Sequence, residues 1–311
     1  MASMRDIKRR KESVQSTQQI TKAMKLVSTV KLQRAKGRAE SAKPYFDKMY
    51  EAVTSILDKA VNLDHPYVRG NDSSKNAVIV ISGNRGLAGG YNNNIVKEVI
   101  EAGMTPENTV IYGVGKKGVE SLKRRGFEIV QETSEMIEEP CFEDAAALAK
   151  VLLKAYEKGE IGRIYIAYTR FQNTVVHIPT VVQLLPVVVT EELKEEAGSR
   201  VSMALEGKAE SRVSMDFEQK EKTGYKTPMN FEPDPEEVLG MLVPKYLTSL
   251  IYGALVESAA SEHGARMQAM DSATGNADEI IRTLSLAYNR ARQGAITQEL
   301  TEIISGAEAI S

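Results

Sequence analysis

A seven-residue repeat in the C-terminal part constrains the fold of this 311-residue chain more than any other feature. Mostly apolar or small residues recur there at alternating intervals of three and four. They form two interleaved sets, Ala260, Met267, Thr274, Ile281, Tyr288 and Ala295 in one and His263, Met270, Ala277, Leu284 and Ala291 in the other. Eleven consecutive positions with this spacing are typical of a left-handed coiled coil. We therefore predict one long coiled-coil helix over residues 232–311.

A second long helix is predicted over residues 1–60, where the only glycine is Gly37 and the only proline is Pro44. Ser3 as N-cap, with Asp6 three residues on, gives this helix a start signal. Its apolar residues recur at helical spacing, at Ile20, Met24 and Val27 and again at Tyr45, Met49, Val53, Ile56 and Ala60. A helix of some 55 residues would be roughly 80 Å long and needs a partner along its length.

The charge is divided between the two ends of the chain. Residues 1–43 hold twelve Lys or Arg against three acids, whereas residues 232–311 hold five against twelve. The whole chain has a net charge of only -2. Opposite charges on two long helices favour an antiparallel coiled coil between the termini, and two helices packed separately on a central domain are the alternative. The basic helix could also follow a nucleic-acid backbone, but it has no aromatic residue before Tyr45, so no nucleic acid is expected.

The middle of the chain, residues 76–190, alternates apolar runs with helical patterns. The predicted strands are 76–82, 109–115, 127–130, 163–171 and 175–187, and the predicted helices are 93–102, 116–125 and 142–158. This alternation with short loops predicts a Rossmann-like α/β domain with a mostly parallel sheet. The fold class is therefore α/β, with a long antiparallel two-helix coiled coil formed by the N- and C-terminal helices.

Residues 191–230 form a polar insert with an internal repeat of twelve residues. The sequence of residues 199–203 recurs at 211–215. Each copy alternates apolar with polar residues, the apolar ones being Val201, Met203, Val213 and Met215. The alternation is compatible with a β-hairpin, and a flexible linker is an equal alternative.

Several function classes are disfavoured by composition. The single Cys141 allows neither a disulfide framework nor a cysteine zinc site, and the three histidines are far apart, so no metal and no cofactor are expected. The sequence contains no run of about 18 apolar residues, and its first residues do not resemble a signal peptide. We expect an intracellular chain with no direct membrane insertion.

Two glycine-rich loops are the best signals for an enzyme. Gly113–Gly118 reads GxGxxG between a strand and a helix, as in dinucleotide-binding folds, but it follows the second strand of the unit rather than the first. A tight strand-to-helix turn is the favoured interpretation. Gly83–Gly90 lacks the GK[ST] ending of a P-loop, and we expect it to carry Arg85 toward an acidic partner. No nucleophile or acid–base pair stands out.

Five segments resemble the gamma subunit of the rotary F-type ATP synthases of bacteria. They are residues 15–28, 83–90, 231–239, 257–277 and 288–307, and they follow in the family's order over nearly the whole chain. The resemblance implies a central shaft that turns inside a hexamer of three alpha and three beta subunits, driven by ion flow through the c-ring. It also implies an epsilon subunit partner, a peripheral location at the cytoplasmic face of the cell membrane, and nucleotide sites on the other subunits.

The resemblance also implies contact residues. Met24, with Lys22 and Lys25, would face the acidic lever of beta, and Arg85 would approach the lower lobe of beta. Near the C-terminus, Arg292, Gln293 and Thr297 would bind catch loops of the catalytic subunits, and Ile303, Ile304 and Ile310 would turn in an apolar sleeve. The alternative for Arg292 and Thr297 is that they are ordinary surface residues of the coil.

The insert is placed like the redox segment of the chloroplast gamma subunit, which works through a pair of cysteines. Residues 188–230 contain no cysteine, so a thiol switch is not expected here. Our hypothesis is that the repeat hairpin lies beside the shaft and restrains rotation.

Overall fold

The computed structural model describes residues 4–59, 65–187 and 235–308. Two long helices dominate it, α1 at Met4–Lys59 and the last helix, α6, at Pro235–Glu308. Between them lie four shorter helices, α2 (Pro66–Arg69), α3 (Tyr91–Glu101), α4 (Lys116–Arg124) and α5 (Phe142–Glu157). The strands are β1 (Asn76–Ile81), β2 (Thr109–Val114), β3 (Glu128–Thr133), β4 (Arg163–Phe171) and β5 (His177–Leu185).

The helices α1 and α6 run antiparallel, as three polar contacts establish. Residue numbers fall along α6 as they rise along α1 in these contacts, which join Gln18 to Asp278, Thr21 to Thr274 (Oγ1 to Oγ1, 2.8 Å) and Lys25 to Asp271 (Nζ to Oδ1, 2.6 Å). All eleven predicted seam residues of α6 are buried or half-buried. The predicted antiparallel coiled coil is therefore confirmed, and separately packed helices are excluded. We call this pair the coil.

Two of the three apolar residues that recur in the first half of α1 lie outside the buried seam. Ile20 and Val27 are 57% and 56% exposed. An unbroken series of buried and half-buried positions instead follows a spacing of four and three, at Ile7, Lys11, Val14, Gln18, Thr21, Lys25, Ser28, Leu32, Ala35, Ala39, Ala42, Phe46, Met49, Val53 and Ile56. Met24, Thr29 and Ala52, each next to a member of this series, are half-buried as well. The seam is polar from Gln18 to Ser28, where hydrogen bonds across the coil take the place of apolar packing. Apolar residues mark the seam before this stretch, at Ile7 and Val14, and again from Leu32 onward.

The sheet confirms the α/β prediction. Its strand order is β3-β2-β1-β4-β5, with the first four strands parallel and β5 antiparallel to β4. Helices cover both faces, and β1 is buried at five consecutive positions, as expected for a central parallel strand. The structure adds the one-turn helix α2 to the prediction and extends β3 to Thr133.

The first half of α6 belongs to the core of the sheet as well as to the helix pair. Leu239, Leu247, Ile251 and Leu255 are buried in the cluster that joins α6 and α5 to one face of the sheet. The other face is covered by α3 and α4. Because one continuous helix passes from this core into the coil, the α/β domain and the coil are joined by backbone.

The segment Glu236–Gly306 of α6 contains an 18-residue window apolar enough to cross a membrane by length and composition, with mean hydropathy 1.4. Half of that window is buried within the protein, as in a core helix. The predicted cap Ser3, the tip residue Ile310 and the insert with Val201, Met203, Val213 and Met215 lie outside the described residues.

Candidate partner-binding surfaces

The GxGxxG segment is a tight turn filled by the protein itself. Gly115 has φ 90°, and a Cβ there would lie 1.9 Å from the carbonyl oxygen of Ser82. The Ser82 hydroxyl accepts from the Gly118 amide (3.0 Å) and donates to the Gly115 carbonyl (3.1 Å). Ser82 thus occupies the helix N-terminus that a pyrophosphate would need. The packing favours the turn over dinucleotide binding.

The loop Gly83–Gly90 is attached to α3 and to the coil. The Gly83 amide donates to Asn92 Oδ1 (2.8 Å), and Asn92 Nδ2 donates to the Arg85 carbonyl (3.2 Å). A Cβ at Gly83 would lie 2.8 Å from Glu262 Oε1 on α6, so the glycine lets the loop and this side chain approach closely. Glu262 is buried and forms an ion pair with Arg266 one turn further along. These contacts hold the loop in place while Arg85 itself is exposed.

Leu87, two residues beyond Arg85, is the feature of this loop that the sequence did not indicate. It is exposed and has φ 62°, a left-handed conformation that a branched residue adopts at a cost. Its apolar side chain and Arg85 are both exposed in one loop.

The predicted contact residues near the start of the coil have different environments. Lys22 is exposed and Met24 half-buried, whereas the Lys25 ammonium is bound to Asp271 within the coil. Asp271 therefore partly neutralises the charge of Lys25, whereas Lys22 is exposed.

An apolar stripe lies beside these lysines and was missed as a surface. Its exposed members are Ile20, Leu26, Val27 and Val30. They repeat at helical spacing, but their face is offset from the seam toward α6. The signal in the sequence is the helical spacing of Ile20 and Val27, which the sequence analysis used only as evidence for a helix. We call Ile20, Leu26, Val27 and Val30 the α1 stripe.

The end of α6 extends past the start of α1. The contacts of Lys25 with Asp271 and Gln18 with Asp278 place the first residues of α1 near residues 290–295. Beyond Ala295 the side chains of residues 296–306 are all exposed, among them Ile303 and Ile304 at 67% and 60%.

The predicted contact residues Arg292, Gln293 and Thr297 are exposed as well, and the Thr297 hydroxyl donates to the Gln293 carbonyl (2.9 Å). Ile296 and Leu300, which were not predicted as contacts, complete an apolar surface with Ile303 and Ile304.

His263 is the most strongly perturbed histidine at the seam. Burial, together with the nearby charges of Arg266 and Lys31, lowers its pKa to about 4. The imidazole is therefore neutral near pH 7 and serves as a packing residue. Within the described ranges, no group of three or more His, Cys, Asp or Glu could hold a metal ion.

Comparison with known proteins identifies the family. The family model described as ATP synthase matches residues 3–310. The ATP synthase gamma chain of Lachnoclostridium phytofermentans is 55% identical over the full length of both chains. That of Alkaliphilus metalliredigens is 41% identical over 99% of this chain and 98% of its own. The sodium ion specific gamma chain of Acetobacterium woodii is 40% identical over 99% of both.

Solved structures agree on the fold. A chain of the Euglena gracilis mitochondrial ATP synthase, in the assembly of OSCP, F1 and c-ring, has a TM-score of 0.63 at 19% identity, covering 99% of this chain and 94% of its own. A chain from the central stalk and c-ring of the Tetrahymena thermophila enzyme has a TM-score of 0.53 at 22% identity, covering 82% and 99%. The resemblance inferred from the five sequence segments is confirmed, and the chain belongs to the ATP synthase gamma chain family.

Proposed function

We propose that this chain is the non-catalytic rotor shaft of an F-type ATP synthase, turning inside three alpha and three beta subunits. The observation that carries the proposal is the antiparallel coil, which is joined at one end to the α/β domain through α6 and ends at the other in a single exposed helix. Such a shaft presents a different side to each surrounding subunit. Its rotation would favour a different conformation of each beta subunit in turn, so that contact energy changes nucleotide affinity.

The acidic lever of beta would contact the side of α1 that carries Lys22, Met24 and the α1 stripe. Cations attract the lever over distance, and the apolar side chains provide contact area once it is close. Lys25 would contribute less than Lys22, since Asp271 already binds its ammonium. Arg85, with Leu87 beside it, would contact the lower lobe of beta.

The end of α6 would make two kinds of contact with the catalytic subunits, one by hydrogen bonds and one by apolar side chains. Arg292, Gln293 and Thr297 offer exposed hydrogen-bonding groups to loops of the catalytic subunits. Ile303 and Ile304, with Ile296 and Leu300, would turn in an apolar sleeve, where non-directional contact allows rotation. The α/β domain at the opposite end would bind the epsilon subunit and the c-ring, which places the chain peripherally at the cytoplasmic face of the membrane without insertion.

Reconstitution tests the rotor assignment. Co-expressed with its own alpha and beta subunits, the chain should co-purify at one copy per three of each, and ATP hydrolysis should turn a bead attached to the α/β domain. A cysteine at the exposed Glu107, in a Cys141→Ser background, provides the attachment point. A complex that forms and hydrolyses ATP with a stationary bead would refute the assignment.

The insert, for which we propose a restraint on rotation, needs a separate test. Its apolar residues Val201, Met203, Val213 and Met215 would be the contacts. Deleting residues 199–217 should raise ATP hydrolysis at high ADP and low proton-motive force. Replacing these four residues with serine should also raise it. Hydrolysis that is unchanged across ADP levels and proton-motive force would exclude the restraint.

A further inference from the structure

An open groove of about 740 Å³ lies beside the coil, where α1 passes the first residue of α5. Small residues of α1 form its floor, namely Gly37, Ser41 and Ala42. Glycine is unfavourable inside a helix, yet a Cβ at Gly37 would have no neighbour within 4 Å. The described part of the chain therefore leaves the space above this floor open. We call this surface the α1 groove.

Aromatic rings form one end of the α1 groove. Tyr45 and Phe142 meet edge to face with their ring centroids 6.4 Å apart, and the centroids of Phe142 and Tyr252 are 5.9 Å apart. Phe46 stacks on Tyr252 and rests on Gly253, where a Cβ would lie 3.0 Å from its ring. Tyr45 and Phe142 nevertheless remain 48% and 40% exposed. An apolar side chain placed against these two rings would bury them.

Two arginines give the other end of the groove a positive charge. Arg34 and Arg38 lie one turn apart on α1, and both are exposed and line the groove. Among the described residues no acid lines the groove, and neither guanidinium has an acidic partner there. A complementary occupant therefore carries negative charge beside an apolar residue.

The chain itself contains a segment of this composition. Residues 191–196 read Glu-Glu-Leu-Lys-Glu-Glu, so four acids and one lysine surround the apolar Leu193. The segment lies in the insert, and it begins four residues after Val187, the last described residue before the insert.

The described residues before the insert end close to the start of α6. The Val187 amide donates to the Tyr67 carbonyl (2.8 Å), and His65, two residues before Tyr67, approaches α6 at Gly240. Twelve residues of helix, about 18 Å, separate Gly240 from Tyr252 in the groove.

This distance matches the length of chain that leads to the acidic segment. The six residues from Val187 to Leu193 can span about 20 Å, which is enough to bring Leu193 to the aromatic end. The next three residues, to Glu196, can span about 10 Å. Arg38 lies seven residues from Tyr45 along α1, also about 10 Å, and in the direction that leads away from the start of α6.

We propose that the α1 groove binds residues 191–196 of the same chain and so anchors the start of the insert beside the coil. Leu193 packs against the exposed rings, and the glutamates that follow it pair with Arg38 and Arg34. Exposed ion pairs are individually weak, but the short tether keeps the segment at a high local concentration. The contact lies within one chain, so it does not depend on the proposed rotor role.

Disulfide trapping in the full-length chain tests the contact. Ser41→Cys with Glu195→Cys, in a Cys141→Ser background, should form an intramolecular disulfide about tenfold faster than Lys36→Cys with Glu195→Cys. Lys36 is the matched control because it is exposed on a different side of α1, over the Phe171 ring. High salt should slow the trapping at Ser41, since it screens the charges.

Charge reversal distinguishes a specific contact from chance collision. Arg34→Glu with Arg38→Glu should slow the trapping at Ser41 about tenfold, and adding Glu192→Lys with Glu196→Lys should restore it. Both arginines are exposed, so the Tm should change by less than about 2 °C.

Leu193→Ser, a change outside the groove, should slow the trapping as well and gives a second test that leaves the coil unaltered. Equal trapping at Ser41 and Lys36, or trapping that neither the charge reversal nor Leu193→Ser slows, would overturn the proposal. Disulfides that form between two chains, seen as a dimer on a gel without reductant, would identify a second copy as the occupant and would overturn it too.

Discussion

Single residues show where the backbone of the α/β domain has no tolerance for change. Gly115 combines φ 90° with a carbonyl oxygen only 1.9 Å from where its Cβ would be. Gly86, in the neighbouring glycine-rich loop, has nothing within 4 Å. The GxGxxG spacing was visible in the sequence, but its use was not, because the hydroxyl that fills the turn comes from Ser82, some thirty residues earlier.

We expect Gly115→Ala to lower the free energy of unfolding by about 3 kcal/mol or more, because the new methyl group meets backbone that cannot move aside. Gly86→Ala, the matched control, should change it by less than about 0.5 kcal/mol. Urea denaturation of the full chain measures both. Equal effects of the two substitutions would contradict the packing described for Ser82.

His263, at the seam of the coil, makes the stability of the folded chain depend on pH. The folded state lowers its pKa to about 4, against an ordinary value near 6.5, so folding favours the neutral imidazole. The stabilisation is therefore complete above about pH 6.5 and is lost as the pH falls toward 4. Replacing His263 with Leu should make the Tm fall less steeply between pH 6.5 and 4. The measurement is circular dichroism melting of both chains over that range, and parallel curves would exclude the role.

At the scale of elements, α1 carries two helical faces that the sequence does not separate. One is the seam toward α6, polar at Gln18, Thr21 and Lys25, and the other is the apolar α1 stripe. The helical spacing of apolar residues can be read from the sequence for both α1 and α6. The side of α1 that contacts α6 was decided by hydrogen bonds to Asp271, Thr274 and Asp278, which are some 250 residues away in the chain.

Reversing the exposed charge of Lys22 on α1, Lys22→Glu, should impair coupling without destabilising the chain. The side chain is exposed, so the Tm should change by less than about 2 °C. Facing the proposed acidic lever of beta, the new carboxylate would repel it, and the ratio of ions pumped to ATP hydrolysed should fall. Lys116→Glu, an exposed position on α4, is the control for an added negative charge. Normal coupling in the Lys22→Glu variant would place the lever elsewhere.

At the scale of the whole molecule, α6 connects a densely packed core to an exposed tip. Its residues from Leu239 to Ala259 contribute to the core under the sheet, whereas the side chains from Ile296 to Gly306 are all exposed. Stability should therefore decrease along one helix, since local opening is cheapest where few apolar contacts are broken.

Hydrogen exchange measured on the isolated full chain should show this gradient. We expect the slowest amides of α6 between residues 243 and 260 and the fastest between 296 and 306, differing by at least a hundredfold in protection. Assembly with alpha and beta subunits should slow exchange at the tip if the apolar sleeve forms there. Uniform protection along α6 in the isolated chain would contradict the gradient.

The sequence by itself determined the two long helices, the seam of α6, the α/β alternation and the family. These follow from periodicity and motifs, which are local in the chain and can be read without knowing any contact. Only the tertiary structure decided which face of α1 enters the coil, that Asp271 neutralises Lys25, that Ser82 fills the glycine turn, and that aromatic residues of α1, α5 and α6 meet in one groove. Each of these depends on residues that are distant in sequence and meet only when the sheet forms, the two ends of the chain pair, or α6 packs onto the sheet.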